Sequence, residues 1–94
     1  MSSSAPVQVF HYWSPACKPC MHLKPLFEDL EEDFGSPTYA WTHINTQDES
    51  LRAQKMNVTQ IPCMVVFKHG KEVGRHVGSD VARYYAVLRT AGKA

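Results

Sequence analysis

The sequence predicts an α/β protein in which a four-stranded mixed sheet is flanked by helices. Segments rich in β-branched and aromatic residues alternate with segments whose apolar residues recur at helical spacing. The first three elements form a strand–helix–strand unit, whose strands run parallel through a right-handed crossover. The last two strands are separated only by a short turn, so they add an antiparallel hairpin. Helices are therefore expected on both faces of the sheet.

The first strand is predicted over Val7–Trp13 and ends at Ser14-Pro15. A helix follows Cys17, with Pro19 tolerated in its first turn. Pro25 lies inside this helix and is expected to kink it, because proline lacks a backbone donor. The buried face of the helix is an apolar stripe that consists of Leu23, Leu26, Leu30 and Phe34.

The second half of the chain continues the pattern. A second strand is predicted over 39–45 and a short helix over 48–56, with Asp48 or a nearby side chain as its cap. Two further strands, 64–68 and 72–77, form the hairpin. The last helix is predicted to begin at a Ser79 cap, and its buried face to contain Val81, Tyr84, Tyr85 and Leu88.

The bulk composition excludes several function classes. The chain has 94 residues, 44% of them hydrophobic, and a net charge of +1, which suits one small domain and indicates neither nucleic-acid nor membrane partners.

We expect a flexible N-terminus over 1–6, a single domain over 7–94 and a monomer. The acidic stretch 28–33 is the solvated face of a helix. The N-terminus has no basic residue and no long apolar run, which favours a cytoplasmic protein.

The chemistry-bearing segment is Cys17-Lys18-Pro19-Cys20, at the point where a strand gives way to a helix. Free N–H groups at a helix start stabilise a thiolate, and the adjacent lysine adds positive charge. Cys17 is expected at the exposed helix tip and Cys20 one turn further in. This order suits a reaction in which Cys17 attacks a disulfide and Cys20 resolves the mixed disulfide. A zinc site is the alternative, but a second ligand pair at close spacing is missing.

Together, these features resemble the thioredoxin family over residues 7–88. The matching segments are Trp13, Cys17-Lys18-Pro19-Cys20, the kink proline Pro25, Ile61-Pro62, Phe67-Lys68-His69-Gly70-Lys71 and Val77-Gly78. The resemblance implies that Pro62 is cis, faces Cys17, and lies beside backbone that pairs with a substrate peptide. It implies a substrate-binding set of Trp13, Lys18, Pro19, Ile61, Pro62 and Gly78. The family's usual N-terminal strand and helix are missing.

Two departures from the family bear on the site. His11 and His43 occupy the positions of a buried aspartate and its lysine partner. The family aspartate assists deprotonation of Cys20, and a neutral imidazole is able to do the same, with His43 as a relay; two core histidines without a catalytic part are the alternative. Cys63 follows Pro62 and is expected near the active pair, either as a small buried residue or as a regulatory thiol.

The resemblance thus implies a protein-disulfide reductase with no bound cofactor beyond the redox-active Cys17–Cys20 disulfide. Its partners would be disulfide-bearing proteins and an electron donor such as a thioredoxin reductase, in a role in electron transport and cell redox homeostasis. Two other functions stay open on the residues alone. One is a redox-independent binding subunit. The other is a metal or iron–sulfur carrier that adds Cys63 to the pair.

Overall fold

The structure is a computed structural model, and it describes residues 5–93. Residues 1–4, which make up most of the predicted flexible N-terminus, lie outside the described range, as does residue 94. In chain order the elements are β1 (Val7–Trp13), α1 (Lys18–His22), α2 (Lys24–Asp33), β2 (Tyr39–Asn45), α3 (Ser50–Lys55), β3 (Cys63–Lys68), β4 (Lys71–Val77) and α4 (Val81–Gly92).

The sheet is four-stranded and mixed, with the order β2-β1-β3-β4, which confirms the predicted architecture. β1 and β2 run parallel, in a register that places His11 beside His43. β3 pairs antiparallel with both β1 and β4, and Tyr12 lies opposite Cys63 in the first of these pairings. His11 is therefore on a central strand, and His43 is on the edge strand beside it.

Helices cover both faces, and side chains alternate between two cores as the strand period of two requires. One core lies under α2 and α4 and contains Val7, Val9, Phe27, Leu30, Met64, Val66, Tyr84, Leu88 and Ala91. The other lies under α3 and contains Tyr12, Ile44, Ala53, Val58, Cys63 and Val65. The α3 face also carries an open apolar cavity of about 410 Å³, lined in part by Phe10, Met56 and Phe67.

The helix after Cys17 is broken into α1 and α2 instead of running on with a kink. Leu23 separates them, and its N–H still donates to the Pro19 carbonyl at 3.1 Å. Pro25 has no N–H to donate to the Met21 carbonyl, which is the physical cause of the break. The predicted apolar stripe is confirmed, because Leu30 is fully buried and Leu23, Leu26 and Phe34 pack against the core.

The helix caps differ from the predicted ones. α3 begins at Ser50, and its cap residue is Glu49, whose side chain makes no cap hydrogen bond, so the prediction of a side-chain cap at or near Asp48 is wrong. Asp80, not Ser79, caps α4: its side chain accepts the Arg83 N–H at 3.3 Å. Val81 is consequently at the helix start, where it is 43% exposed instead of buried.

Candidate active site

A tight turn between β1 and α1 presents Cys17. Ser14 is buried, and its hydroxyl accepts the Ala16 N–H at 3.1 Å while its carbonyl accepts the Cys17 N–H at 3.1 Å. A serine side chain that bonds the backbone two residues ahead forms a compact turn. Cys17 then adopts an extended backbone (φ −91°, ψ 109°) as the N-cap of α1. The nucleophile candidate is thereby held at the helix start.

Cys17 and Cys20 form a disulfide, with their Cα atoms 5.2 Å apart. Cys17 is half-buried, whereas Cys20 is only 2% exposed. The Cys20 N–H donates to Cys17 Sγ at 3.2 Å. When the pair is reduced, this donor stabilises a thiolate on Cys17 more than a thiol, because hydrogen bonds to the charged form lower a pKa.

The loop before β3 lies against the disulfide. The Ile61–Pro62 peptide bond is cis, as the resemblance implies, and the Ile61 carbonyl oxygen is 3.8 Å from Cys17 Sγ. Gly78 joins this loop, since its N–H donates to the Pro62 carbonyl at 3.0 Å. Gly78 has φ of +115°, a conformation that L side chains rarely adopt. The Tyr84 hydroxyl in turn donates to the Gly78 carbonyl and fixes this loop to α4.

Behind the disulfide lies a cavity of about 260 Å³, which His11, Trp13 and Cys20 line together. His11 is 6% exposed, and its ring stacks on Phe27 with centroids 3.7 Å apart. Its Nε2 atom is buried and has no hydrogen-bond partner among the described residues. A histidine with one buried, unpartnered ring nitrogen therefore lines the same cavity as the buried cysteine.

The other nitrogen of His11 is engaged. Its Nδ1 lies 2.9 Å from Nδ1 of His43, whose Nε2 in turn lies 2.7 Å from Oε1 of Glu31. Burial, and second the nearby His43, lower the pKa of His11 to about 3. His11 is thus neutral at physiological pH. His43 is not a core histidine, because its side chain is 38% exposed, and that of Glu31 is 47% exposed.

Of the two alternatives for Cys63, the structure agrees with the small buried residue. It is fully buried in the core under α3, opposite Tyr12, and does not line the cavity that His11 and Cys20 share. Burial raises the pKa of its thiol. Among residues 5–93, no group of three or more His, Cys, Asp or Glu side chains is placed to hold a metal ion.

Four of the predicted substrate-binding residues are at least partly exposed to solvent. Lys18 and Pro19 are exposed, while Trp13 and Ile61 are half-buried. Met21, on α1, and Val77, next to Gly78, are two exposed apolar residues, at 38% and 39%. No helix in the described part of the chain is long and apolar enough to cross a membrane.

Sequence reasoning missed the residues that support the two histidines. Glu31 was interpreted only as part of a solvated helix face, and Phe27, the stacking partner of His11, was not singled out. Lys24 and Glu28 line the same cavity. The available signal was their spacing, since 24, 28 and 31 repeat at the three- and four-residue intervals of one helix face.

Comparisons with known proteins agree with this geometry. The sequence model of the thioredoxin family matches residues 1–88. Mitochondrial thioredoxin-2 of Schizosaccharomyces pombe is 35% identical over 86 residues, which cover 92% of this chain and 63% of that protein. Thioredoxin of Chlamydia caviae is 36% identical over 72 residues, covering 77% and 66% respectively. The chain therefore spans somewhat less than two thirds of the length of these two relatives.

The fold is shared with solved structures as well. The X-ray structure of Fasciola hepatica thioredoxin superposes with a TM-score of 0.85 at 24% identity, covering 95% of this chain and 84% of that one. The disulfide between Cys17 and Cys20 fits the Cys-x-x-Cys redox site of a family of thiol–disulfide oxidoreductases. With the family model matching nearly the whole chain, this protein belongs to the thioredoxin family.

Proposed function

We propose that this protein reduces disulfide bonds in other proteins through Cys17 and Cys20. The observation that carries the proposal is the asymmetry of the disulfide: Cys17 is half-buried at a helix start, and Cys20 is 2% exposed behind it. An accessible sulfur is needed for attack on a large substrate, and a shielded one is needed for an intramolecular second step.

In the first step, the Cys17 thiolate attacks one sulfur of a substrate disulfide. A bond forms between Cys17 and that sulfur, the substrate S–S bond breaks, and the second substrate sulfur leaves as a thiolate that takes up a proton. The Cys20 N–H, 3.2 Å from Cys17 Sγ, supports the attacking anion, and the exposed Lys18 adds positive potential.

In the second step, Cys20 must lose its proton before it attacks Cys17. His11 lines the same cavity as Cys20, and its buried Nε2 has no partner among the described residues, so we assign Nε2 as the acceptor of that proton. The new Cys17–Cys20 bond forms as the bond to the substrate sulfur breaks, and the substrate leaves as a dithiol. Two electrons have then passed from the protein to its substrate.

Substrate binding is assigned to the rim of the disulfide. The Ile61 carbonyl, 3.8 Å from Cys17 Sγ, is placed to accept a backbone N–H from an extended substrate segment. Pro62 and Gly78 form the adjoining wall, and glycine leaves room for close backbone approach. Trp13, Lys18 and Pro19 complete the rim.

Return of the disulfide to the dithiol needs a reductant. We assign this role to a flavin-dependent reductase of the thioredoxin reductase kind, which makes the chain an electron carrier in cell redox homeostasis. The reducing direction requires a compartment with such a donor, of which the cytoplasm is one. A single copy carries both cysteines, so the proposed reaction proceeds in a monomer.

The experiment traps the first intermediate. A Cys20→Ser variant, incubated with a disulfide-containing peptide, should accumulate one peptide per chain, attached at Cys17. A Cys17→Ser variant is the matched control and should attach none at that site. Intact-mass and peptide mass spectrometry give the stoichiometry and position. Absence of adduct on folded Cys20→Ser protein would contradict the proposal.

A further inference from the structure

The contacts of His43 extend the site beyond the two histidines to a carboxylate on α2. Glu31 Oε1 lies 2.7 Å from His43 Nε2, and the two Nδ1 atoms of His43 and His11 lie 2.9 Å apart. The three side chains form an unbroken chain from the cavity behind the disulfide to the protein surface. At the outer end of this chain, the Glu31 side chain is 47% exposed, and at the inner end His11 is 6% exposed.

The carboxylate determines which nitrogens carry protons. An ionised carboxylate only accepts hydrogen bonds, so His43 must donate from Nε2–H to Glu31. In neutral His43 the remaining Nδ1 is then an acceptor, and His11 must donate to it from Nδ1–H. The lone pair of neutral His11 is consequently on Nε2, the atom that is buried without a partner in the described structure.

We propose that Glu31 is a positioning residue: it fixes the tautomers of His43 and His11, so that a proton leaving the buried thiol moves outward to the protein surface. This inference rests on the proposed function. It goes beyond that function by adding a residue and a proton route.

The route balances in one concerted shift. The Cys20 thiol proton moves to Nε2 of His11, and the proton on Nδ1 of His11 moves to Nδ1 of His43. Cys20 becomes a thiolate, His11 stays neutral in its other tautomer, and the positive charge appears on the exposed His43, beside the Glu31 carboxylate. No charge is left on the buried ring, where desolvation would oppose it.

Within residues 5–93, two further charged side chains line the cavity beside the route. From α2, Lys24 and Glu28 line the same cavity together with Glu31. From β1 and α1 the cavity is lined by His11, Trp13 and Cys20, and Phe27 supplies an apolar wall. Of the two glutamates, the described contacts place only Glu31 in hydrogen-bond contact with an imidazole.

The kinetic test separates the two steps of one reaction. Reduced protein is mixed with an aromatic disulfide whose released thiolate absorbs visible light. Attack by Cys17 releases the first thiolate, and attack by Cys20 on the mixed disulfide releases the second. Glu31→Ala should slow the second release about two- to fivefold, the range of an exposed charge pair, and leave the first unchanged. Glu32→Ala, an exposed neighbour on the same helix, is the control and should change neither.

Heteronuclear NMR of the ring nitrogens provides a readout that a merely structural role would not move. Wild-type protein should show His11 protonated at Nδ1 and His43 at Nε2, and Glu31→Ala should lose this fixed pattern. Glu31→Gln keeps an acceptor for the His43 N–H but removes the negative charge beside the His43 that the route protonates, so a slowed second release is still expected if the alanine variant fails to fold.

Two results would overturn the inference and leave the proposed function standing. One is a second release at the wild-type rate in both Glu31 variants. The other is wild-type His11 carrying its proton on Nε2. Failure of the wild-type protein to release a second thiolate would instead contradict the proposed function itself, so the two failures are distinguishable.

Discussion

His11 and His43 lie side by side across the parallel pairing of β1 with β2, with their Nδ1 atoms 2.9 Å apart. One ring is 6% exposed and stacked on Phe27, and the other is 38% exposed at its side chain. The pair therefore connects a buried ring to a solvent-exposed ring through a single hydrogen bond. This difference in burial is the basis for assigning the two imidazoles different parts in the reaction.

Replacement of His11 by alanine should slow the second step of the reaction. Without an acceptor in the cavity, Cys20 must ionise directly, so we expect a loss of about tenfold or more at pH 7. The rate of the variant should also rise with pH more steeply than that of the wild type. The two-phase thiolate release measures this, with His22→Ala, an exposed histidine on α1, as control. A pH–rate profile identical to that of the wild type would refute the role of His11.

The buried His11 should also make folding stability depend on pH. Its pKa is about 3 in the folded state against 6.5 as a free group, so the unfolded state binds the proton more readily. The contribution is fully present above pH 6.5 and is lost as the pH falls toward 3. We expect the free energy of unfolding to drop by about 1 to 2 kcal/mol more between pH 7 and 5 in the wild type than in His11→Phe. Urea unfolding at both pH values checks this, and equal drops in the two proteins would contradict it.

Cys63 should be unreactive in the folded protein. It is fully buried, and burial raises the pKa of its thiol, so little thiolate is present at pH 7. A brief pulse of iodoacetamide on reduced protein should label Cys17 and spare Cys63. Peptide mass spectrometry gives the position of the label, with denatured protein as the control in which all three cysteines react. Labelling of both residues at comparable rates would count against this account.

The Tyr84 hydroxyl should stabilise the loop that forms one wall of the site. It donates to the Gly78 carbonyl, and Gly78 in turn donates to the Pro62 carbonyl at 3.0 Å. Tyr84→Phe should lower the free energy of unfolding by about 1 kcal/mol and raise KM for a protein substrate more than it lowers kcat. Tyr85→Phe, at the half-buried neighbouring position, is the control. An unchanged KM would show that this hydrogen bond does not shape the binding surface.

The fold could be predicted because the local amino-acid composition indicates each strand. The bounds of β1 and β2, Val7–Trp13 and Tyr39–Asn45, match their predicted ranges, since β-branched and aromatic residues are concentrated there. Helix starts were less predictable. Asp80 and Ser79 are both good caps, and only the backbone conformation of Asp80 (φ −79°, ψ 100°) decides between them.

The site was only partly predictable for a related reason. Cys17 and Cys20 are close in sequence, so their pairing needs no long-range information. The side of the sheet that Cys63 faces depends on the register of its strand. A register shift of one residue would turn Cys63 to the other side. The contact between Glu31 and His43 depends on how α2 crosses β2, and helix periodicity carries no information on that crossing.

Catalysed reduction of insulin by dithiothreitol tests the central claim most directly. Wild-type protein should accelerate the precipitation that follows insulin reduction, whereas Cys17→Ser protein, shown by circular dichroism to be folded, should match the rate without protein. Acceleration by the wild type alone supports a disulfide reductase that works through Cys17. Equal rates with folded wild type, with the variant and without protein would contradict that function.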